Sequence, residues 1–184
     1  QDVSILISGA TGLIGSFLID VLMWRNTYKK ANCRIFALGR SEEKAKRRFA
    51  YCRDSSLLHF LSHDINEPLQ LQTDETIEYV LHLASNTHPV AYATDPIGTI
   101  TTNIIGLKNM LDFSVQHHAK RFAFASSNEI YGENRGDQEL FDEHYCGYID
   151  CNTLRAGYPE SKRCGEALCQ AYMKQKGLDV VFSG

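Results

Sequence analysis

Residues 3–22 limit most sharply what this chain can fold into. Val3-Ser4-Ile5-Leu6-Ile7 is a short, β-branched, apolar run that reads as a buried strand. Gly9, Gly12 and Gly15 follow at once, and Ile14, Phe17, Leu18, Val21 and Leu22 then recur at helical spacing. A strand, a glycine-rich turn and a helix form the front half of a βαβ unit. Such a turn lets backbone N–H groups approach a pyrophosphate, which rests on the positive end of the helix. The spacing is G-x-x-G-x-x-G rather than G-x-G-x-x-G, and glycines alone also serve turns that hold no ligand. The strand before them and the helix after them favour nucleotide binding.

The rest of the chain keeps the alternation. Strands are predicted at 34–38, 57–62, 79–83, 121–125 and from Val180 to Phe182. Ser41 is placed to cap a short helix whose first turn holds Glu42 and Glu43. A long helix fits 96–116 on the stripe Ile97, Ile100, Ile104, Leu107 and Leu111, and a last one fits 158–176. A polar stretch from Gly132 to Arg155 lies between them. The fold class that follows is α/β, a doubly wound and mostly parallel sheet in a three-layer αβα sandwich.

With 184 residues the chain is long enough for one domain with a proper core. A net charge of −3 gives no basic footprint for nucleic acid or an anionic membrane, and no run is long enough to span a bilayer. No signal peptide is visible. The six cysteines form no C-x-x-C pair, and neither they nor the histidines show ligand spacing. Reduced thiols in a cytoplasmic protein, without a metal, are therefore expected.

Three further stretches carry chemistry. A site for NAD usually places a carboxylate at the end of the second strand, where it holds the ribose 2′-OH. Here Leu38-Gly39-Arg40-Ser41 offers Arg40, which suits the 2′-phosphate of NADP, with Lys44 nearby. The same guanidinium also suits a contact on adenine or with water. Tyr158 and Lys162 stand four apart, so on a helix they share a face. A neighbouring ammonium is expected to lower the phenol's pKa and make Tyr158 an acid/base for a hydroxyl. Tyr172 and Lys176 repeat the spacing, but near the end of the helix. Ser126-Ser127-Asn128-Glu129 follows the fifth strand, where ligands bind in open parallel sheets, although serines there also cap turns.

The combination resembles the extended short-chain dehydrogenase/reductase family, in its nucleotide-sugar epimerase/dehydratase branch. The residues that carry the likeness are Gly9 to Gly15, Asp64-Ile65, Leu83-Ala84-Ser85, Asn103 to Gly106, Ser126 to Gly132 and Tyr158 to Lys162. The resemblance implies a Rossmann-type domain over 1–184 with a Ser127/Tyr158/Lys162 triad. It implies cofactor contacts from Gly9, Thr11, Gly12, Leu13, Ile14, Gly15, Arg40, Asp64, Ile65, Leu83, Ala84, Ser85, Asn103, Tyr158 and Lys162. It further implies a nucleotide-sugar substrate oxidised at its 4-hydroxyl, NAD or NADP as cofactor, and a homodimer built on the helices over 96–116 and 158–176.

The resemblance also implies a C-terminal substrate domain, which these 184 residues do not include. Glu129 matches the base that dehydratases of the branch use at C5. Asn128 stands where they keep an acid and cannot serve as one. Decarboxylation of a 4-ketouronic acid and simple 4-epimerisation need no such acid. An NADPH-dependent reductase and a non-catalytic dinucleotide-binding protein stay as alternatives, the first resting on Arg40.

Overall fold

The computed structural model describes residues 2–71, 76–86 and 89–183. Six strands form one sheet: β1 (Val3–Ser8), β2 (Cys33–Gly39), β3 (Leu58–Ser62), β4 (Tyr79–His82), β5 (Arg121–Ala125) and β6 (Val180–Ser183). Their order is β3-β2-β1-β4-β5-β6, and every neighbouring pair is parallel. From β1 the chain steps outward to β2 and β3, then returns to lay β4 on the other side of β1. That reversal opens a crevice at the carboxyl ends of β1 and β4, where open α/β sheets bind ligands.

Alternation along each strand splits the core in two. Ile7, Ile35 and Ala37 face one side and pack with Ile19 and Met23 of α1 (Leu13–Lys29) and Ala45 of α2 (Glu42–Arg48). Leu6, Phe36, Val80, Phe122 and Phe124 face the other. There they meet Leu107, Met110, Leu111 and Phe113 of α5 (Leu107–Gln116) and Cys169 of α6 (Gly157–Lys176). Phe113, Phe122 and Phe124 are essentially sealed from water, each contributing about 2–3 kcal/mol relative to exposure. Ser41 caps α2, accepting the Lys44 N–H at 3.2 Å.

Two elements differ from the sequence reading. The apolar repeat of α1 does not mark its inward face, because Ile14, Phe17 and Val21 are exposed. The helix turns Gly15, Ser16, Ile19 and Met23 to the sheet instead. Small residues win at its start since the helix must approach the glycine turn closely. The single helix expected over 96–116 is also broken. It comprises α4 (Pro96–Thr101), a π-helical turn over Thr102–Gly106, and α5. The extra residue in that wide turn interrupts the 3.6-residue register, so Leu107 and Leu111 are buried while Ile97 and Ile100 are not. A short helix, α3 (Pro89–Thr94), lies ahead of α4 and was not anticipated.

Candidate active site

The crevice is a cleft of about 570 Å³ that runs from the glycine turn to the start of α6. Its floor is the turn between β1 and α1. Gly9 has φ of +70°, and a Cβ there would meet the backbone of Leu83 and Ala84 at 2.9 Å. A Cβ on Gly15 would come within 2.5 Å of the Gly9 carbonyl. Side chains at either position would push β4 or α1 away, so glycine is required by close approach. The result is a bare backbone cradle at a helix N-terminus, whose first N–H groups have no partner within the helix. Gly12, Leu13, Ile14 and Thr11 complete that wall.

The far wall of the turn is fixed from behind. The Ser8 hydroxyl accepts the N–H groups of Leu83 and Ala84 at 3.2 and 3.3 Å and lies 2.8 Å from Nδ1 of His82. Complete burial, reinforced by the charge of Lys162, pushes the His82 pKa down to about 3. The imidazole is therefore neutral and takes the Ser8 hydrogen on Nδ1. Leu83, Ala84 and Ser85, which line the cleft, hang from this buried pair.

At the other end of the cleft, Arg40 and Lys44 stand beside Asp64 and Ile65. Asp64 accepts the Asn66 N–H at 3.0 Å, which folds the segment after β3 into a turn. Ile65 is buried, its carbonyl held by Asn109 at 2.8 Å, and it fills the space left open at Gly106 in the π-helical turn. No carboxylate stands at the end of β2.

The chemistry-bearing groups gather where α6 begins. Tyr158 and Lys162 are both buried and both line the cleft. Ser127 and Ser85, just past the ends of the neighbouring strands β5 and β4, hydrogen-bond the Tyr158 hydroxyl. Ser127 also accepts the Glu129 N–H at 3.2 Å, so the capping role and the contact with the phenol coexist. Lys162 donates to the Ala125 carbonyl at 2.8 Å and lies 4.8 Å from the centre of the Phe124 ring. Burial lowers its pKa to about 8.

One electrostatic expectation is overturned. Tyr158 was to be acidified by its lysine, yet its pKa is raised. Burial of the phenol is the largest cause, and Glu129 adds to it, against hydrogen bonds from Ser127 and Ser85 and the charge of Arg155. Lys162 turns its ammonium to Ala125, with Nζ 5.8 Å from the centre of the Tyr158 ring. The lookalike pair behaves as structure, since Tyr172 hydrogen-bonds Asp112 across the α5–α6 contact.

Asn103 does not line the cleft. It sits one layer behind, buried in the π-helical turn, donating to Ser161 and accepting from Ser85, at 2.8 and 2.7 Å. The neighbouring Thr102 faces the cleft instead. Glu129 lies beside the cleft rather than in its wall, paired with Arg155 at 2.8 Å. Sequence reasoning missed Arg155 and Tyr92. Tyr92 stacks on Tyr158 with ring centres 4.8 Å apart. Arg155 had a faint signal in standing three residues before Tyr158, whereas Tyr92 had none.

This fold and cleft define a doubly wound α/β domain with a buried tyrosine–lysine pair lining its cleft. A family model for the NAD dependent epimerase/dehydratase family matches residues 5–183, and the chain belongs to that family. It is 36% identical over 176 residues to UDP-glucuronic acid decarboxylase 1 of Danio rerio, covering 96% of this chain and 39% of that protein. UDP-glucuronic acid decarboxylase 3 of Arabidopsis thaliana is 33% identical, with 96% of this chain and 48% of that protein covered. Among solved structures, dTDP-glucose 4,6-dehydratase DesIV of Streptomyces venezuelae superposes with a TM-score of 0.79 at 22% identity, over 97% of this chain and 54% of that one. UDP-glucuronic acid 4-epimerase of Bacillus cereus gives 0.75 at 23%, over 97% and 55%. The chain thus spans half or less of the length of these curated relatives.

Proposed function

We propose that this chain is the cofactor-binding and catalytic part, over 1–184, of a nucleotide-sugar enzyme that decarboxylates a UDP-hexuronic acid through a 4-keto intermediate. The observation that carries the reading is Tyr158, buried beside Lys162 with its hydroxyl held by Ser127 and Ser85. The likeness to UDP-glucuronic acid decarboxylases supports the choice of substrate.

The cradle at Gly9 and Gly15, which a Cβ would fill, fits the pyrophosphate of a dinucleotide. Asp64 and Ile65 then lie at the adenine end, and Tyr158 and Lys162 at the nicotinamide end. A nicotinamide held beside Tyr158 and Lys162 would supply a reversible hydride acceptor for C4 of the sugar. The residues handle the proton. Tyr158 as phenolate takes it from the 4-hydroxyl while Ser127 holds the same oxygen by a hydrogen bond. Lys162, charged below about pH 8, favours the phenolate once it turns from Ala125 towards the cofactor ribose. The 4-ketone makes the substrate a β-keto acid, from which CO₂ leaves, its electron pair passing into an enolate. Asn128 offers no acid for loss of water, which disfavours a 4,6-dehydratase.

Arg40 and Lys44 support a second reading, in which NADPH reduces a keto-sugar, because both can pair with a 2′-phosphate. A homodimer is part of the proposal, with Ile97 and Ile105 exposed on the helical face that includes the π-helical turn. Six unpaired cysteines suit a reducing, cytoplasmic setting.

The test is to supply UDP-glucuronate with NAD⁺ and follow CO₂ and the UDP-sugar product. A UDP-pentose with release of CO₂ is expected, and Tyr158→Phe should lower the rate at least 100-fold. A 4-epimer without CO₂, or undiminished turnover by the phenylalanine variant, rejects the assignment.

A further inference from the structure

Glu129 and Tyr158 make an awkward pair. A carboxylate beside a phenol that must ionise disfavours the phenolate, since two like charges then share one site. The structure shows how the conflict is met. Arg155 lies in the single turn over Leu154–Ala156, just before α6, and its Nη2 is 2.8 Å from Glu129 Oε2. The carbon of the same guanidinium sits over the Tyr92 ring, 5.1 Å from its centre. Tyr92, from α3, in turn stacks on Tyr158 at 4.8 Å and 26°. Arg155 therefore contacts both the Glu129 carboxylate and the ring that stacks on Tyr158. Tyr92 and Tyr158 are both buried, so charges around them are weakly screened.

We propose that Arg155 is a positioning residue of this site: set over the Tyr92 ring, it fixes the Glu129 carboxylate and screens Tyr158 from its charge. The groups facing Tyr158 among the described residues are Ser127 and Glu129 after β5, Tyr92 of α3, Ser85 after β4, and Arg155 and Lys162 on its own segment. Of the two cations, Lys162 is spent on Ala125, and Arg155 opposes Glu129 at the phenol. A lysine at 155 keeps the charge that does the screening. A methionine keeps the bulk and loses the charge.

The consequence for turnover rests on the catalytic reading of Tyr158, but the screening itself is measurable without any substrate. The chain is made with ring-fluorinated tyrosine, which brings phenol titration into mild pH, and followed by ¹⁹F NMR. The Tyr158 signal is the one lost in Tyr158→Phe. Arg155→Met should raise the Tyr158 midpoint by about one pH unit, roughly a tenfold loss of phenolate at fixed pH. Arg155→Lys should stay near the unsubstituted protein, and Glu129→Gln combined with Arg155→Met should bring the midpoint back. An unmoved midpoint in Arg155→Met overturns the proposal. So does a midpoint that stays raised in the double variant, because the effect would then be packing rather than charge. Screening together with a UDP-glucuronate product that keeps its carboxylate would leave this proposal standing and reject the decarboxylase assignment alone.

Discussion

At the scale of single residues, the site is a set of buried polar groups whose costs are met unevenly. Lys162 is 3% exposed and donates a hydrogen bond to the Ala125 carbonyl. Its pKa falls from 10.5 to about 8, so the folded state releases this proton before the unfolded state does. Between about pH 8 and 10.5 the unfolded chain holds the extra proton, and stability rises with pH through that window. Below pH 8 the full penalty applies. Lys162→Met should therefore stabilise the chain at pH 7, by on the order of 2 kcal/mol. The advantage should shrink as pH approaches 10.5, as read by urea unfolding of both proteins across the range. An unchanged or lower stability at pH 7 would show that the ammonium is not strained in the fold. Tyr158 and Lys162 were legible in the sequence because four-residue spacing on a helix is a local property. The raised pKa of Tyr158 was not, since it arises from burial and from Glu129, which another segment brings in, against the opposing charge of Arg155.

At the scale of elements, the strands were legible and the helical faces were not. Each strand is a compact apolar run, and in the central strand β2 both faces are largely buried, so composition marks it. Helix α1 inverts the usual signal, because Gly15 and Ser16 must approach the sheet while Ile14, Phe17 and Val21 point away. The π-helical turn over Thr102–Gly106 leaves no trace in apolar spacing, yet it delivers Asn103 to Ser85 and Ser161 and leaves Ile105 45% exposed. With Ile97 at 76%, that exposure carries the homodimer proposed above. Sedimentation of the chain at micromolar concentration should give a dimer, and Ile97→Asp should shift it to monomer. A single monomeric species for the unsubstituted chain would contradict the proposal.

At the scale of the whole molecule, the order β3-β2-β1-β4-β5-β6 places everything else. It puts the glycine turn, the Leu83–Ser85 segment, the Ser126–Glu129 segment and the start of α6 at one edge of one sheet. Motifs scattered over 150 residues of sequence thereby become a single cleft. Their order along the chain was enough to expect that gathering, because a parallel sheet presents every strand's carboxyl end on the same side. The depth of the cleft, with Asn103 behind its wall and Thr102 in it, required the structure. The central claim is that this cleft binds a nicotinamide dinucleotide across the Gly9–Gly15 cradle. Calorimetric titration of the purified, nucleotide-stripped chain with NAD⁺ and NADP⁺ tests it most directly, with Gly15→Ala as the control whose Cβ fills the cradle. The account predicts binding of at least one dinucleotide at one site per chain, weakened at least tenfold by Gly15→Ala. No binding of either dinucleotide, or equal binding by the alanine variant, would contradict it.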